Sequence, residues 1–264
     1  LDRRKWRAHE DPDRFPPFSR PATDTLLQED FVVRIGPDGQ VLEEVSIPKM
    51  LYDSGLEAVL TANGQDFKST GPARAELVHA NKVAELTSDI ADKFALFEAG
   101  DWAISMRKLN LVIVVDGTSH RVKWHQTGPW LRQHDTEFRP DGRISVFNNN
   151  TYLNAYDTAD RVRQRAERST NIIAIDPVSR KTEVLFGGKP GQEMLAVVRG
   201  QHETLANGNL LITEFDGGRV LETSPAGQIV WEFINRFDPG NVGELTNAKL
   251  YPAEYFVTPW EPCP

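Results

Sequence analysis

The amino-acid sequence predicts an all-β protein built from a repeated four-stranded unit. Four segments share one pattern, an apolar-rich strand, a turn and a second strand, and three of them follow a second kind of hairpin. The four segments are 31–46, 111–126, 172–186 and 219–233. Gly, Pro, Asp or Ser in each turn supplies the dihedral angles that hairpins need. Two hairpins make a four-stranded meander, and recurring meanders favour a β-propeller over a sandwich.

A histidine opens the second kind of hairpin in each complete unit. These histidines are His79, His134 and His202. The complete blades are therefore predicted at 79–127, 134–186 and 202–234, with partial blades at 29–47 and 248–257. A propeller ring normally takes about four to eight blades. Because about three and a half are present, we expect upstream blades or another chain to complete the ring.

Three further segments lie outside the repeat. Residues 1–28 are rich in proline and charge, which predicts an extended N-terminal arm ahead of the propeller domain at 29–264. Segment 84–99 has apolar residues at helical spacing, with Phe94 and Phe97 on one side, which predicts a short helix. Segment 154–169 is polar and Arg-rich, which predicts a solvated loop or an exposed helix.

Composition excludes several classes of function. The chain has 264 residues and a formal net charge of −8, so no basic surface is predicted for a nucleic-acid partner. Its apolar runs are too short to span a bilayer. The single cysteine, Cys263, cannot form an internal disulfide.

The three histidines are predicted to converge on one site. The first strand of every propeller blade lines the central channel, and its start points to one face of the disc. Asn81 follows His79 closely, and Arg107 ends the strand that pairs with the His79 strand. Imidazoles, an amide and a guanidinium offer several hydrogen-bond donors, which suits an anion with several oxygens.

Two other interpretations fit the same histidines. A repeat copies architecture, so a shared histidine can be a shared capping device. Three imidazoles can also hold a zinc ion. The arginine and asparagine beside the imidazoles suit an anion better than a cation, which favours the anion site.

Several segments resemble the arylsulfotransferase family. They are HAN (79–81), AISMRKLN (103–110), RQHDTEFRPDGRISVFNNN (132–150), GQHETLANGNLLITE (200–214), GGRVLETSPAGQIVWEFIN (217–235) and YPAEYF (251–256). The resemblance implies a six-bladed β-propeller, periplasmic or extracellular. It implies transfer of a sulfuryl group from a phenolic sulfate ester to a phenol, with no nucleotide donor or other cofactor.

The resemblance also implies roles for individual residues. His134, in the Gln-His-Asp motif, becomes the nucleophile that carries the sulfuryl group. His79, Asn81 and Arg107 become its partners, and His202 occupies the matching place in the next blade with a supporting role. A neutral imidazole can attack sulfur, and fixed donors stabilise the charge that develops on oxygen.

Departures from the family pattern leave two other hypotheses open. Relatives commonly have an acidic residue after His-x-Asn, where this chain has Lys82, and a further histidine from an upstream blade has no counterpart here. A non-catalytic propeller that acts as a binding or scaffold subunit of a larger assembly would fit these departures. A metal-dependent hydrolase would need an ion held by two or more of the histidines.

Overall fold

The computed structural model describes residues 2–7, 26–61, 75–151 and 170–255. The described part is nearly all β, with antiparallel four-stranded sheets of the kind that form propeller blades. The predicted fold class is therefore confirmed. No helix in the described ranges has the length and apolar character needed to cross a membrane.

The first sheet is built around a long strand, β2. It comprises β1 (Asp2–Arg7), β2 (Leu26–Ile35), β3 (Val41–Ser46) and β4 (Ala75–Glu76). Strand β2 pairs antiparallel with β1 and β3 and parallel with β4. The start of the segment predicted as an extended arm therefore forms a sheet strand, and residues 8–25 of that segment lie outside the described part.

Three complete antiparallel meanders follow, each with its strands in chain order. The second sheet comprises β5 (Ala80–Glu85), β6 (Trp102–Met106), β7 (Leu111–Val115) and β8 (Val122–Thr127). The third comprises β9 (His134–Phe138), β10 (Ile144–Asn148), β11 (Asn171–Ile175) and β12 (Thr182–Phe186). The fourth comprises β13 (Gln201–Thr204), β14 (Leu210–Glu214), β15 (Arg219–Thr223) and β16 (Ile229–Ile234).

Apolar side chains on both faces of the middle strands hold neighbouring sheets together. Successive residues of a strand point to opposite faces. In β7, Leu111, Ile113 and Val115 pack toward the first sheet and its helices, whereas Val112 and Val114 pack toward the third sheet. A further core joins the third and fourth sheets. This alternation is why β7 is an unbroken apolar run.

The first strands of the three meanders lie side by side. Strand β9 contacts both β5 and β13. His79 immediately precedes β5, His134 opens β9 and His202 is the second residue of β13. The repeat therefore brings all three histidines to corresponding ends of neighbouring strands.

The prediction of a helix at 84–99 is wrong. Its first two residues belong to β5, and the rest is a loop between β5 and β6 whose helical part is a single 3-10 turn, Ala91–Lys93. Leu86 closes this loop, because its backbone N–H and C=O bond to the two residues that precede β6. Phe94 and Phe97 are buried in the core between the second and third sheets. Their spacing therefore reflects docking of a loop rather than one face of a helix.

The predicted partial blade at 248–257 is not seen in its described part. Up to Tyr255 this segment forms a 3-10 turn, Ala253–Tyr255, and contains no strand. A small hairpin of β17 (Arg236–Asp238) and β18 (Asn241–Val242) precedes it. The segment predicted as a polar loop or exposed helix at 154–169 lies outside the described residues.

Two short helices follow the first hairpin and were not predicted. They are α1 (Ile47–Asp53) and α2 (Glu57–Thr61). The Ser46 side chain caps α1 by accepting the Lys49 backbone N–H at 3.1 Å, and Pro48 lies in the first turn. A serine cap followed by proline is a helix-start signal present in the sequence.

Candidate active site

A cavity of ≈ 750 Å³ opens at the starts of the inner strands. Residues of the histidine motifs on β5 and β9 line it together with the segment that leads into β13. The motif residues in its wall are His79, Asn81, Lys82, His134 and Asp135. Two of the three predicted histidines therefore share one cavity, although they belong to different blades.

The His79 and His134 rings face each other edge to face. Their centroids are 6.4 Å apart and their planes meet at 86°. Nδ1 of His79 lies 2.6 Å from Oε2 of Glu76. A carboxylate only accepts, so Nδ1 of His79 carries the proton of this bond. The Glu76 carboxylate thereby fixes the orientation of the His79 ring.

Gln133 anchors the Gln-His-Asp motif to the preceding blade. Its side-chain Nε2 donates to the carbonyls of Met106 at 3.2 Å and Leu111 at 3.0 Å. These carbonyls belong to β6 and β7, and the Gln133 side chain is completely buried. The residue before His134 therefore fixes where β9 begins relative to the second sheet.

Asn149 determines which nitrogen of His134 carries the proton. The Asn149 Nδ2 donates to the carbonyls of Ala196 at 2.8 Å and Arg199 at 2.7 Å. Its Oδ1 therefore faces the His134 Nδ1, 2.7 Å away. Since this oxygen only accepts, Nδ1 of His134 is protonated and, in the neutral ring, Nε2 holds the lone pair.

The surroundings of His134 favour the neutral imidazole. The pKa of His134 is lowered to about 4, mainly by burial and also by the charges of Arg107 and His79, while the hydrogen bonds to Asn149 and to the Arg132 backbone oppose the shift. Desolvation penalises the charged form, and nearby cations do the same. The ring is therefore a neutral imidazole at neutral pH.

We expect this shift to make folding stability depend on pH. Above pH 6.5, the pKa of the ring in the unfolded chain, the ring is neutral in both the folded and the unfolded states. Between pH 6.5 and about 4, the unfolded chain binds a proton at this ring and the folded chain does not. Unfolding free energy should therefore fall as pH falls through this window, by about 3 kcal/mol in total. Urea titrations should show this loss in the wild type relative to His134→Gln. A pH-independent difference between the two proteins would contradict the assignment.

Arg107 lies behind the two histidines. It opens the 3-10 turn Arg107–Leu109 that follows β6, and its backbone N–H donates to the His79 carbonyl at 3.0 Å. Its Nε is buried with no hydrogen-bond partner among the described residues. Burial lowers the pKa of the guanidinium, and the charge of Arg132 lowers it further. Arg107 is outside the cavity wall, yet its charge acts on His134.

Asn81 is half-buried in the cavity wall. One N–H of its amide donates to the Gln133 carbonyl at 3.0 Å, and its Oδ1 is buried without a hydrogen-bond partner in the described part of the chain. The bond joins β5 to the start of β9. The amide is thereby held in the cavity wall next to the start of β9.

His202 lies apart from the other two histidines. Its side chain is 0% exposed, and its Nδ1 lies 2.8 Å from Oδ2 of Asp135 at ion-pair distance but without the alignment of a hydrogen bond. Its Nε2 lies 2.6 Å from the Ser145 hydroxyl. It lines a second, polar cavity of ≈ 240 Å³. The structure thus brings two of the three histidines to the main cavity and turns the third away from it.

Lys82, the departure from the family pattern, is bound by two carboxylates. Its Nζ lies 2.9 Å from Asp135 and 2.7 Å from Glu137. Burial opposes the charge on Lys82, but these two carboxylates raise its pKa above the ordinary value. Burial alone would raise the pKa of Asp135, yet His202 and Lys82 hold it below the usual range.

Sequence reasoning missed the residues that orient the histidines. Asn149 orients His134, Glu76 orients His79, and Asp135 holds Lys82 and His202. A signal for Asn149 existed in the run Asn148–Asn150 at the end of a buried strand, where polar side chains need partners. Glu76 lies three residues before His79, and no sequence pattern distinguishes it as a partner of that histidine.

The described residues contain no group of three or more His, Cys, Asp or Glu side chains arranged to hold a metal ion. His79 bonds to Glu76 and His134 to Asn149, so their Nδ1 atoms are engaged. The nitrogen that each ring leaves for another group is therefore Nε2.

Comparison with known families decides the relationship. The family model described as Arylsulfotransferase (ASST) matches residues 13–236. The chain belongs to the arylsulfotransferase family. The match covers the first sheet apart from β1, all three complete blades and every predicted site residue. No curated protein matches the chain.

Solved structures related to this arylsulfotransferase-family chain are distant. A crystal structure of a protein of unknown function from Bacteroides caccae is similar over 77% of this chain and 54% of its own, at 15% identity and a TM-score of 0.39. The virginiamycin B lyase of Staphylococcus aureus is similar over 58% of this chain and 45% of its own, at 16% identity and a TM-score of 0.34. The chain thus spans about half the length of each.

Proposed function

We propose that this chain catalyses transfer of a sulfuryl group from a phenolic sulfate ester to a phenol through a sulfohistidine at His134. One observation supports this proposal more than any other. His134 is a neutral imidazole whose Nδ1–H donates a hydrogen bond to Asn149 Oδ1, so the lone pair is on Nε2. His79 and Asn81 share its cavity, and the Arg107 charge acts on it.

The first half-reaction follows from this tautomer. The Nε2 lone pair attacks sulfur, an N–S bond forms, and the bond between sulfur and the phenolic oxygen breaks with its electron pair leaving on that oxygen. The ring becomes cationic while it keeps its Nδ1 proton. Asn149 Oδ1 accepts that N–H at 2.7 Å and stabilises the positive ring.

Fixed donors would stabilise the sulfuryl oxygens. Asn81 uses one amide N–H on Gln133, which leaves the other for the anion, and Arg107, which lies outside the cavity wall, acts through its charge. Donors that are already in place stabilise developing negative charge without a reorganisation of solvent. Both residues thus suit an anion that forms between the two histidines.

His79 is the group we assign to proton transfer at the phenolic oxygen. Its Nδ1 donates to Glu76, so the ring enters the cycle with a second proton on Nε2, gives that proton to the departing phenolate, and regains it as the neutral ring from the acceptor phenol. The acceptor oxygen then attacks sulfur and the N–S bond to His134 breaks. His202 supports the site through Asp135 rather than by touching substrate.

The substrates and location follow from the family. The proposed donor is a phenolic sulfate ester, the acceptor a phenol, and neither a nucleotide donor nor another cofactor takes part. A periplasmic or extracellular location and a ring completed by further blades or a partner chain belong to the same proposal. The net charge of −8 gives no basic surface for nucleic acid.

Steady-state kinetics test the proposal. With para-nitrophenyl sulfate as donor and phenol as acceptor, double-reciprocal plots at several acceptor concentrations should be parallel, as a covalent intermediate requires. Converging lines would exclude a free sulfo-enzyme between the two steps. No release of nitrophenol by the folded chain would favour the non-catalytic binding or scaffold subunit instead.

A further inference from the structure

A chain of charged and polar side chains crosses the three inner strands beside the cavity. Lys82 on β5 lies 2.9 Å from Asp135 and 2.7 Å from Glu137 on β9. The other oxygen of Asp135 lies 2.8 Å from Nδ1 of His202 on β13. Three blades are therefore joined by one polar relay, which comprises Lys82, Asp135, Glu137 and His202.

Asp135 is the centre of this relay and directly follows the proposed nucleophile. It is 2% exposed and has a φ of 47°, in the left-handed region. Its Oδ2 accepts the His202 backbone N–H at 2.8 Å. Left-handed backbone is costly for residues other than glycine and persists only where surrounding contacts fix it. The relay supplies such contacts at the residue that directly follows His134, where the pairing of β9 with β10 shifts register.

The ammonium of Lys82 already has two carboxylate partners. Two carboxylates face its ammonium, and Asp135 is almost completely buried. A buried carboxylate keeps its charge only while it is paired. The ammonium of Lys82 is therefore paired with Asp135 and Glu137, and Asp135 links it to the backbone next to His134.

We propose that Lys82 is a positioning residue, which fixes the left-handed conformation of Asp135 and so holds His134 with its Nε2 available for attack. The inference depends on the proposed role of His134. The ring is held from two sides: Asn149 holds Nδ1, and the relay holds the backbone beside it. The lysine that departs from the family pattern thus has a role in this site.

Three variants test the proposal against a matched control. Lys82→Met removes the charge at similar volume, Lys82→Gln keeps a polar group, and Lys82→Arg keeps the charge. The control is Lys123→Met, because Lys123 on the outer strand β8 pairs with a comparably buried carboxylate, Asp101, at 2.9 Å and 3.0 Å. Lys123 is outside the cavity wall.

The first readout separates kcat from KM. Lys82→Met should lower kcat about 100-fold, the scale of a misplaced reacting group, with little change in KM for para-nitrophenyl sulfate. Lys82→Gln should be intermediate, and Lys82→Arg and Lys123→Met should keep most of the wild-type kcat. A raised KM with unchanged kcat would show that Lys82 binds sulfate directly and would overturn the proposal.

The second readout is independent of sulfuryl transfer. Ring ¹⁵N spectra of wild type and Lys123→Met should show His134 protonated at Nδ1 alone, whereas Lys82→Met should show signals averaged over both tautomers. An unchanged His134 tautomer in Lys82→Met would overturn the inference. Absence of turnover in the wild type would count against the proposed function alone, because the spectra do not depend on turnover. Failure of all three Lys82 variants to fold while Lys123→Met folds would make Lys82 a structural residue only and would also overturn the inference.

Discussion

His134→Gln should reduce turnover of para-nitrophenyl sulfate by at least about 10⁴-fold, because the variant has no nucleophile to accept the sulfuryl group. Glutamine keeps a hydrogen-bonding side chain that can reach Asn149, so the cavity should keep its shape. The loss should appear in kcat and in kcat/KM together, since the missing interaction exists only in the reacting complex. Initial-rate measurements of nitrophenol release provide the test.

His125→Gln is the matched control. His125 lies on the outer strand β8, away from the cavity wall, so its replacement should leave the rate close to that of the wild type. Equal losses in both variants would point to a general effect on folding. A His134→Gln enzyme with the wild-type rate would remove His134 from the role of nucleophile.

Asp135→Ala should lower the unfolding free energy by about 3 to 5 kcal/mol, because it leaves buried charges without their partner. Lys82 would keep only Glu137, and the His202 ring and backbone N–H would lose the carboxylate that faces both. The change also removes the contacts of Asp135 with His202, which join the third and fourth sheets beside the site. Urea titration at neutral pH measures the loss.

Asp141→Ala is the control for this second prediction. Asp141 is also paired, with Arg143 at 2.8 Å, but its side chain is 38% exposed. Exposed ion pairs contribute about 0 to 1 kcal/mol, so the control should lose little stability. A loss below about 1 kcal/mol for Asp135→Ala as well would show that the relay does not contribute to stability.

The sequence predicted the repeat well because short-range patterns of turn residues and apolar residues mark the strands of each blade. Turn residues and alternating apolar residues marked each hairpin, and the strands β5 to β16 follow that pattern. The place of His79 and His134 followed from the repeat, since first strands of neighbouring blades lie side by side. The family resemblance rested on the same motifs, and the family match agrees with it.

Long-range polar contacts were beyond what the pattern could predict. His202 shares a repeat position with His134, but Asp135 and Ser145 hold its ring away from the cavity. Equal positions in a repeat thus gave unequal environments, because the side chains that face each position differ between blades. Asn149 could be recognised as a partner of His134 only once β10 lay beside β9.

The helix expected at 84–99 shows another limit of local patterns. Apolar residues three apart can lie on a helix face or can anchor a loop, and periodicity alone does not separate these cases. Phe94 and Phe97 dock against Phe138 of the next blade, which decides the outcome. The contact is tertiary, so nothing within the segment signals it.

The most direct test of the account is to locate the sulfuryl group on the protein after one half-reaction. The full chain is mixed with para-nitrophenyl sulfate without acceptor, quenched at alkaline pH, digested and mapped by mass spectrometry. We expect the added mass of one sulfuryl group on the peptide that contains His134, and its loss when phenol is added before the quench. Nitrophenol release with no added mass, or with the mass on any other residue, would contradict the central claim.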